Sequence, residues 1–122
     1  MNSMKKIMVV EDEQIIALGY IMALKKAEFE VFGAFDTAQK AIEIVPSIKP
    51  DLILMDIKLK GTMDGIDAAE QILKNGKFPI IFMSGNNDLE TKTRVQKIKQ
   101  AVYLNKPVVI NKMIKKINEL LN

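Results

Sequence analysis

Five times along the chain, an apolar run of strand length is followed by a segment whose apolar residues recur with helical spacing. That alternation constrains the fold more than any other feature. Lys5–Val10 reads as a first strand, and Ile15, Leu18, Met22 and Leu24 predict a helix over about Glu13–Ala27 with those four facing inward. Phe29–Phe35 reads as a second strand, with Asp36-Thr37 as an N-cap signal for a helix that turns Ala38, Ile42 and Val45 inward and stops before Pro46. Leu52–Met55 is a third, wholly apolar strand framed by Asp51 and Asp56. A polar loop, Lys58–Gly65, precedes a helix over about Ile66–Lys74, closed by Asn75-Gly76. Phe78–Met83 is a fourth strand, Ser84–Asn87 a loop, and Asp88–Gln100 a lysine-rich helix. Ala101–Asn105 is a fifth strand, Lys106-Pro107 a turn, and Asn111–Leu121 a final amphipathic helix.

Strands alternating with helices imply right-handed crossovers and a parallel sheet covered on both faces. The continuous apolar character of the third and fourth strands fits burial on both sides. The expected fold is α/β: one doubly wound, flavodoxin-like sheet of five parallel strands in the order 2-1-3-4-5, with five helices. At 122 residues, without linker, repeat or low-complexity segment, the chain is expected to form a single domain over residues 1–122 with no output domain. The switch point of that order lies between strands one and three, where ligands bind beyond the carboxyl ends.

Composition narrows the chemistry available there. No cysteine or histidine is present, which excludes thiolate and His-ligated metal sites, cysteine nucleophiles, Ser-His-Asp triads and an internal phosphohistidine. The longest apolar runs are far shorter than the ~18–20 residues of a membrane span, and Met1–Lys6 lacks the apolar core of a secretory signal. A cytoplasmic location without membrane contact is expected. Lys and Arg total 18 against 15 acids. Arg94 is the single residue suited to bidentate phosphate or base contacts, which argues against a nucleic-acid partner.

Acids collect at the expected switch point. Strand one ends in Glu11-Asp12 and strand three in Asp56. Asp12 has a plain alternative as a cap of the first helix, whereas Asp56 closes a buried strand with no helix beginning beside it. Clustered carboxylates need a cation or donor to offset their charge. Oxygen ligands without His or Cys favour Mg²⁺, with Mn²⁺ as a substitute. Ser84 from strand four and Lys106 from strand five complete a set shaped for phosphate: acids for a divalent cation, a hydroxyl for one phosphoryl oxygen, an ammonium for another.

Glu11-Asp12, Pro50–Asp56, Met63-Asp64-Gly65, Ser84 and Tyr103–Pro107 together resemble the response-regulator receiver domain of two-component signal transduction, of the chemotaxis-receiver kind, over essentially the whole chain. The resemblance implies that Asp56 accepts a phosphoryl group from a histidine kinase or phosphotransfer protein, in a phosphorelay that switches partner binding. It implies that Asp12, Asp56 and the Lys58 backbone carbonyl bind Mg²⁺, with Glu11 acting through water. Ser84 and Lys106 would contact the phosphoryl group, and Tyr103 would turn inward as an aromatic switch alongside Ser84. Lys58 and Asn86 would tune self-dephosphorylation, and a cis Lys106–Pro107 bond is expected. No enzymatic activity beyond self-phosphorylation and self-dephosphorylation follows.

Three other readings compete. A Mg²⁺-dependent aspartyl-phosphate phosphohydrolase would place an acid two residues after its nucleophile, where this chain has Lys58. A flavin or dinucleotide module would need a glycine-rich phosphate loop, which is absent. A pseudo-receiver that only docks partners would not need the intact acidic set. Output is expected through the face of helix four, strand five and helix five, where Lys92, Arg94, Lys97, Lys99, Lys112, Lys115 and Lys116 gather. Mutual repulsion there favours a monomer before phosphorylation and an acidic effector.

Overall fold

The computed structural model describes residues 4–122. Five strands, β1 (Lys6–Val10), β2 (Glu30–Phe35), β3 (Leu52–Asp56), β4 (Ile80–Ser84) and β5 (Ala101–Asn105), form one parallel sheet in the order β2-β1-β3-β4-β5. The helices are α1 (Gln14–Lys26), α2 (Ala38–Ile48), α3 (Gly65–Ile72), α4 (Leu89–Gln96) and α5 (Ile110–Leu121). This is the expected doubly wound, flavodoxin-like architecture.

Two cores flank the sheet. Met8, Ile53, Met55 and Phe82 point to one face, packing against Ala41 and Val45 of α2, Ile66 and Ala69 of α3, and Val95 of α4. Ile7, Val9, Leu54 and Met83 point to the other, against Tyr20 and Leu24 of α1 and Met113 and Ile117 of α5. Every residue of β3 and β4 is buried, as their unbroken apolar runs imply for central parallel strands. The sheet is therefore rigid where its carboxyl edge presents Asp56 and Ser84.

Several details differ from the sequence reading. In α1 the inward face is Ala17, Tyr20 and Leu24, while Ile15, Leu18 and Met22 are 87%, 56% and 63% exposed. The apolar residues of that helix form two stripes, and the stripe turned toward β1 and β2 is the one carrying Ala17, Tyr20 and Leu24. In α2 the helix runs through Pro46 to Ile48 and ends at Lys49 in the left-handed conformation. Its buried positions are Ala38, Ala41, Val45 and Ile48, with Ile42 half-buried. Pro46 lacks an N–H, but so near the helix end that loss removes one bond without breaking the turn.

α3 ends at Ile72 with turn bonds from Lys74 to Gln71 and from Asn75 to Ile72, so Gly76 is not its cap. β4 begins two residues later than its apolar run, at Ile80. α4 stops at Gln96, four residues early: Val95 is its one buried residue, and turn bonds from Ile98 to Val95 and from Ala101 to Ile98 replace the helix while Ile98 packs on the core.

Candidate phosphorylation site

The carboxyl edge of the sheet gathers the acids. Asp56, last residue of β3, is 3% exposed, and Glu11, one residue past β1, is 2% exposed. Glu11 is held by its own N–H, which donates to the Phe35 carbonyl at 2.9 Å. Asp12 follows, half-exposed, and the cap position of α1 is taken by Glu13, which makes no side-chain cap bond. Asp12 thus has no structural employment as a helix cap. Glu11, Asp12 and Asp56 each offer a carboxylate oxygen, and those atoms all lie within 4.8 Å of one another.

Lys106 enters from the far side of the edge. Its backbone N–H donates to the Ser84 carbonyl at 2.9 Å, which extends the β4–β5 pairing by one residue. The Lys106–Pro107 peptide bond is cis, as expected. The Lys106 ammonium donates to Glu11 Oε1 at 2.8 Å and to Asp56 Oδ2 at 3.0 Å. Asp56 Oδ1 accepts the Lys58 backbone N–H at 3.3 Å.

One ammonium between two buried carboxylates does not balance their charge. Burial pushes the Asp56 carboxyl up, the neighbouring Glu11 pushes it further, and Lys106 offsets part, leaving it at about 7. Burial also raises the Glu11 carboxyl, but its bonds to Asp56, Lys106 and the Glu13 N–H outweigh that and hold it below the usual range. The two acids titrate as a coupled pair in which Asp56 is the harder to ionise. Burial disfavours the charged form of Lys106, yet its two carboxylate partners raise its pKa overall. A buried acid pair whose second charge is costly suits a hard, oxygen-ligated divalent cation.

An open pocket of about 800 Å³ lies over these groups, lined by Asp12, Asp56, Lys58, Ser84, Asn86 and Lys106 among others. Every sequence-predicted site residue except Glu11 and Tyr103 lines it, and those two bond to residues that do. Ser84 is buried, and its hydroxyl accepts the Asn86 N–H at 2.9 Å. The Lys58 and Asn86 side chains are exposed at the rim. Tyr103 packs half-buried against the core beneath α4, and its hydroxyl donates to the Asn86 carbonyl.

Two features of the site escaped the sequence reading. A Cβ at Gly65 would lie 2.1 Å from the Asp56 carbonyl oxygen, so only glycine lets α3 start against the backbone of Asp56. A glycine directly after the capping Asp64 was the available signal. Arg94, assigned to the basic face, instead binds Asp64 and Asp67 at the start of α3. Lys116 pairs with Glu119 at 3.6 Å, while Lys92, Lys97, Lys99, Lys112 and Lys115 are exposed. Among the described residues, no helix is long and apolar enough to cross a membrane.

A family model described as the response regulator receiver domain matches residues 7–118. The transcriptional regulatory protein PdtaR of Mycobacterium tuberculosis is 30% identical over 110 residues, covering 90% of this chain and 53% of that protein. The chain thus spans about half the length of that curated relative. A CheY-like response regulator receiver domain protein from Methanospirillum hungatei JF-1 superposes with a TM-score of 0.89 at 28% identity, over 98% of this chain and 94% of that one. The signal receiver domain of a modulated diguanylate cyclase from Desulfovibrio desulfuricans G20 gives 0.88 at 29%, with the same coverage.

Proposed function

The chain belongs to the response regulator receiver domain family of two-component signalling, and on that premise we propose that Asp56 accepts a phosphoryl group from the phosphohistidine of a partner kinase or phosphotransfer protein. The observation that bears most weight is the convergence of Asp56, Asp12, Glu11 and Lys106 at the switch point, with Asp12 free of any capping duty. In the proposed transfer an Asp56 carboxylate oxygen attacks phosphorus as the phosphorus–nitrogen bond to the donor imidazole breaks, giving an acyl phosphate. Asp56 must be ionised for this step, because only the carboxylate is nucleophilic.

Asp12, Asp56 and the Lys58 backbone carbonyl would hold Mg²⁺, with Glu11 acting through water; when bound, the ion would neutralise the acids and screen the incoming phosphoryl oxygens. Lys106, already bonded to Asp56, stands ready to pair with a phosphoryl oxygen. Ser84 can exchange its bond with the Asn86 N–H for a phosphoryl oxygen, which would release the 84–88 loop and the carbonyl that Tyr103 holds. Asn86 and Lys58 sit at the rim, where water would approach for dephosphorylation.

A protein donor is supported by the exposed apolar strip of Ile15, Leu18 and Met22. Ile15 shares a shallow apolar depression with Pro107 and Val108 directly beside Lys106. A small-molecule donor needs no such surface. The output face would be the exposed lysines in and just after α4 and in α5 that form no ion pair among the described residues, Lys92, Lys97, Lys99, Lys112 and Lys115, which suits an acidic effector and disfavours a symmetric dimer before phosphorylation. Incubation with Mg²⁺ and acetyl phosphate should raise the intact mass by one phosphoryl group, and chelation of the metal should abolish the gain. Equal labelling in excess chelator would overturn the metal-dependent reading.

A further inference from the structure

The chain's single arginine bridges two helices across the mouth of the phosphorylation pocket. Arg94 of α4 donates from Nη1 to Asp64 Oδ2 at 2.7 Å, and from Nη2 to Asp64 Oδ1 at 3.2 Å and Asp67 Oδ1 at 3.1 Å. Both acids are already fixed by the capping box of α3: Asp64 Oδ1 accepts the Asp67 N–H at 2.8 Å, and Asp67 Oδ2 accepts the Asp64 N–H at 3.1 Å. A rigid fork on pre-ordered carboxylates loses little side-chain entropy, which separates this cluster from an ordinary surface ion pair.

Both ends of the bridge lead to the switch. Gly65, beside Asp64, donates its N–H to the Ile57 carbonyl at 2.7 Å and packs on the Asp56 carbonyl. At the other end, α4 continues directly from the loop that contains Asn86, whose carbonyl accepts the Tyr103 hydroxyl. α4 itself is poorly anchored, because Val95 is its one buried residue.

We propose that Arg94 is a positioning residue: its fork on Asp64 and Asp67 fixes α4 against the start of α3, and so holds the Asn86 carbonyl where the Tyr103 hydroxyl binds it. Among the described residues, Arg94 shares no hydrogen bond with Tyr103 or Asp56, so the control is exerted through α4 alone. The inference rests on the proposed function only in calling Tyr103 a switch. Its test uses unphosphorylated, metal-free protein, so a failure of phosphotransfer and a failure of this coupling are separate results.

The chain has two tyrosines, Tyr20 and Tyr103, in the cores on opposite faces of the sheet. Labelling with 3-fluorotyrosine gives two ¹⁹F resonances, assigned by Tyr103→Phe. Arg94→Gln should move the Tyr103 resonance toward the solvent-exposed position and leave Tyr20 in place. Asp64→Asn, which keeps a capping oxygen, should do the same, and the double variant should do no more than either single change. Arg94→Lys keeps the charge without the fork and should retain most of the defect. Amides of α4 should exchange with deuterium roughly five-fold faster in Arg94→Gln. An unmoved Tyr103 resonance, additive single variants, or an equal shift at Tyr20 would overturn the proposal.

Discussion

Replacing Asp56 by asparagine should stabilise the metal-free protein more at pH 8 than at pH 5. The folded protein raises the Asp56 carboxyl from an ordinary 3.8 to about 7. Between those values the folded state binds more protons than the unfolded state, so stability falls as pH rises through the window. Each unit is worth about 1.4 kcal/mol, which sets an upper limit of about 4 kcal/mol on the burden at alkaline pH. Asparagine removes the buried charge, and the attraction of Lys106 is already counted in that limit because it offsets part of the rise. About two of the three units fall between pH 5 and pH 8, so the gain at pH 8 should exceed that at pH 5 by about 3 kcal/mol, or about 10 °C in Tm for a domain of this size. The gap should narrow as pH falls below the folded pKa and close only below the unfolded value, where both states hold the proton. Thermal unfolding by circular dichroism in a chelator, at both pH values, measures it. Mg²⁺ should then stabilise the parent and not the variant. A parent as stable as Asp56→Asn at pH 8, or a gap equal at both pH values, would refute the reasoning.

Gly65→Ala should be costly, because its Cβ would meet the Asp56 carbonyl oxygen at 2.1 Å and the Met55 side chain at 2.8 Å; a loss of about 2–3 kcal/mol in chemical denaturation is expected, and a neutral result would mean that α3 can move off the sheet edge freely. Lys58 lies exposed at the pocket rim, where its ammonium can fold over a phosphoryl group and screen the line of water attack. Phosphorylated parent protein should accordingly decay several-fold more slowly than Lys58→Asn, a difference of roughly 1 kcal/mol in barrier, followed by intact mass after donor removal; equal decay would place Lys58 in solvent without a shielding part.

The sheet order was legible because β3 and β4 are unbroken apolar runs, a pattern only central parallel strands require. The acids were legible because they follow apolar strands directly, Glu11-Asp12 after β1 and Asp56 at the end of β3. Where two apolar stripes competed, periodicity misled. Ile15, Leu18 and Met22 read as core in α1, yet burial went to Ala17 and Tyr20, since the choice depends on how near the helix lies to the sheet and not on its own pattern. The length of α4 was overestimated because lysine-rich sequence has good helical propensity, whereas past Gln96 the chain turns to seat Ile98 on the core and enter β5. Arg94 reads as a free surface charge in the sequence because its partners, Asp64 and Asp67, are 30 and 27 residues away along the chain and meet it only after both helices pack.

The central claim is that Asp56, and no other carboxylate in the cluster, receives the phosphoryl group. Borohydride reduces an acyl phosphate to an alcohol, so a phosphorylated aspartate is converted to homoserine and marked permanently. Protein treated with Mg²⁺ and acetyl phosphate, reduced, digested and sequenced by mass spectrometry should contain homoserine at residue 56 and aspartate at residue 12, and Asp56→Asn should contain none. Homoserine at residue 12 in the parent, or an unreduced Asp56 in protein whose intact mass has risen by a phosphoryl group, would contradict the account.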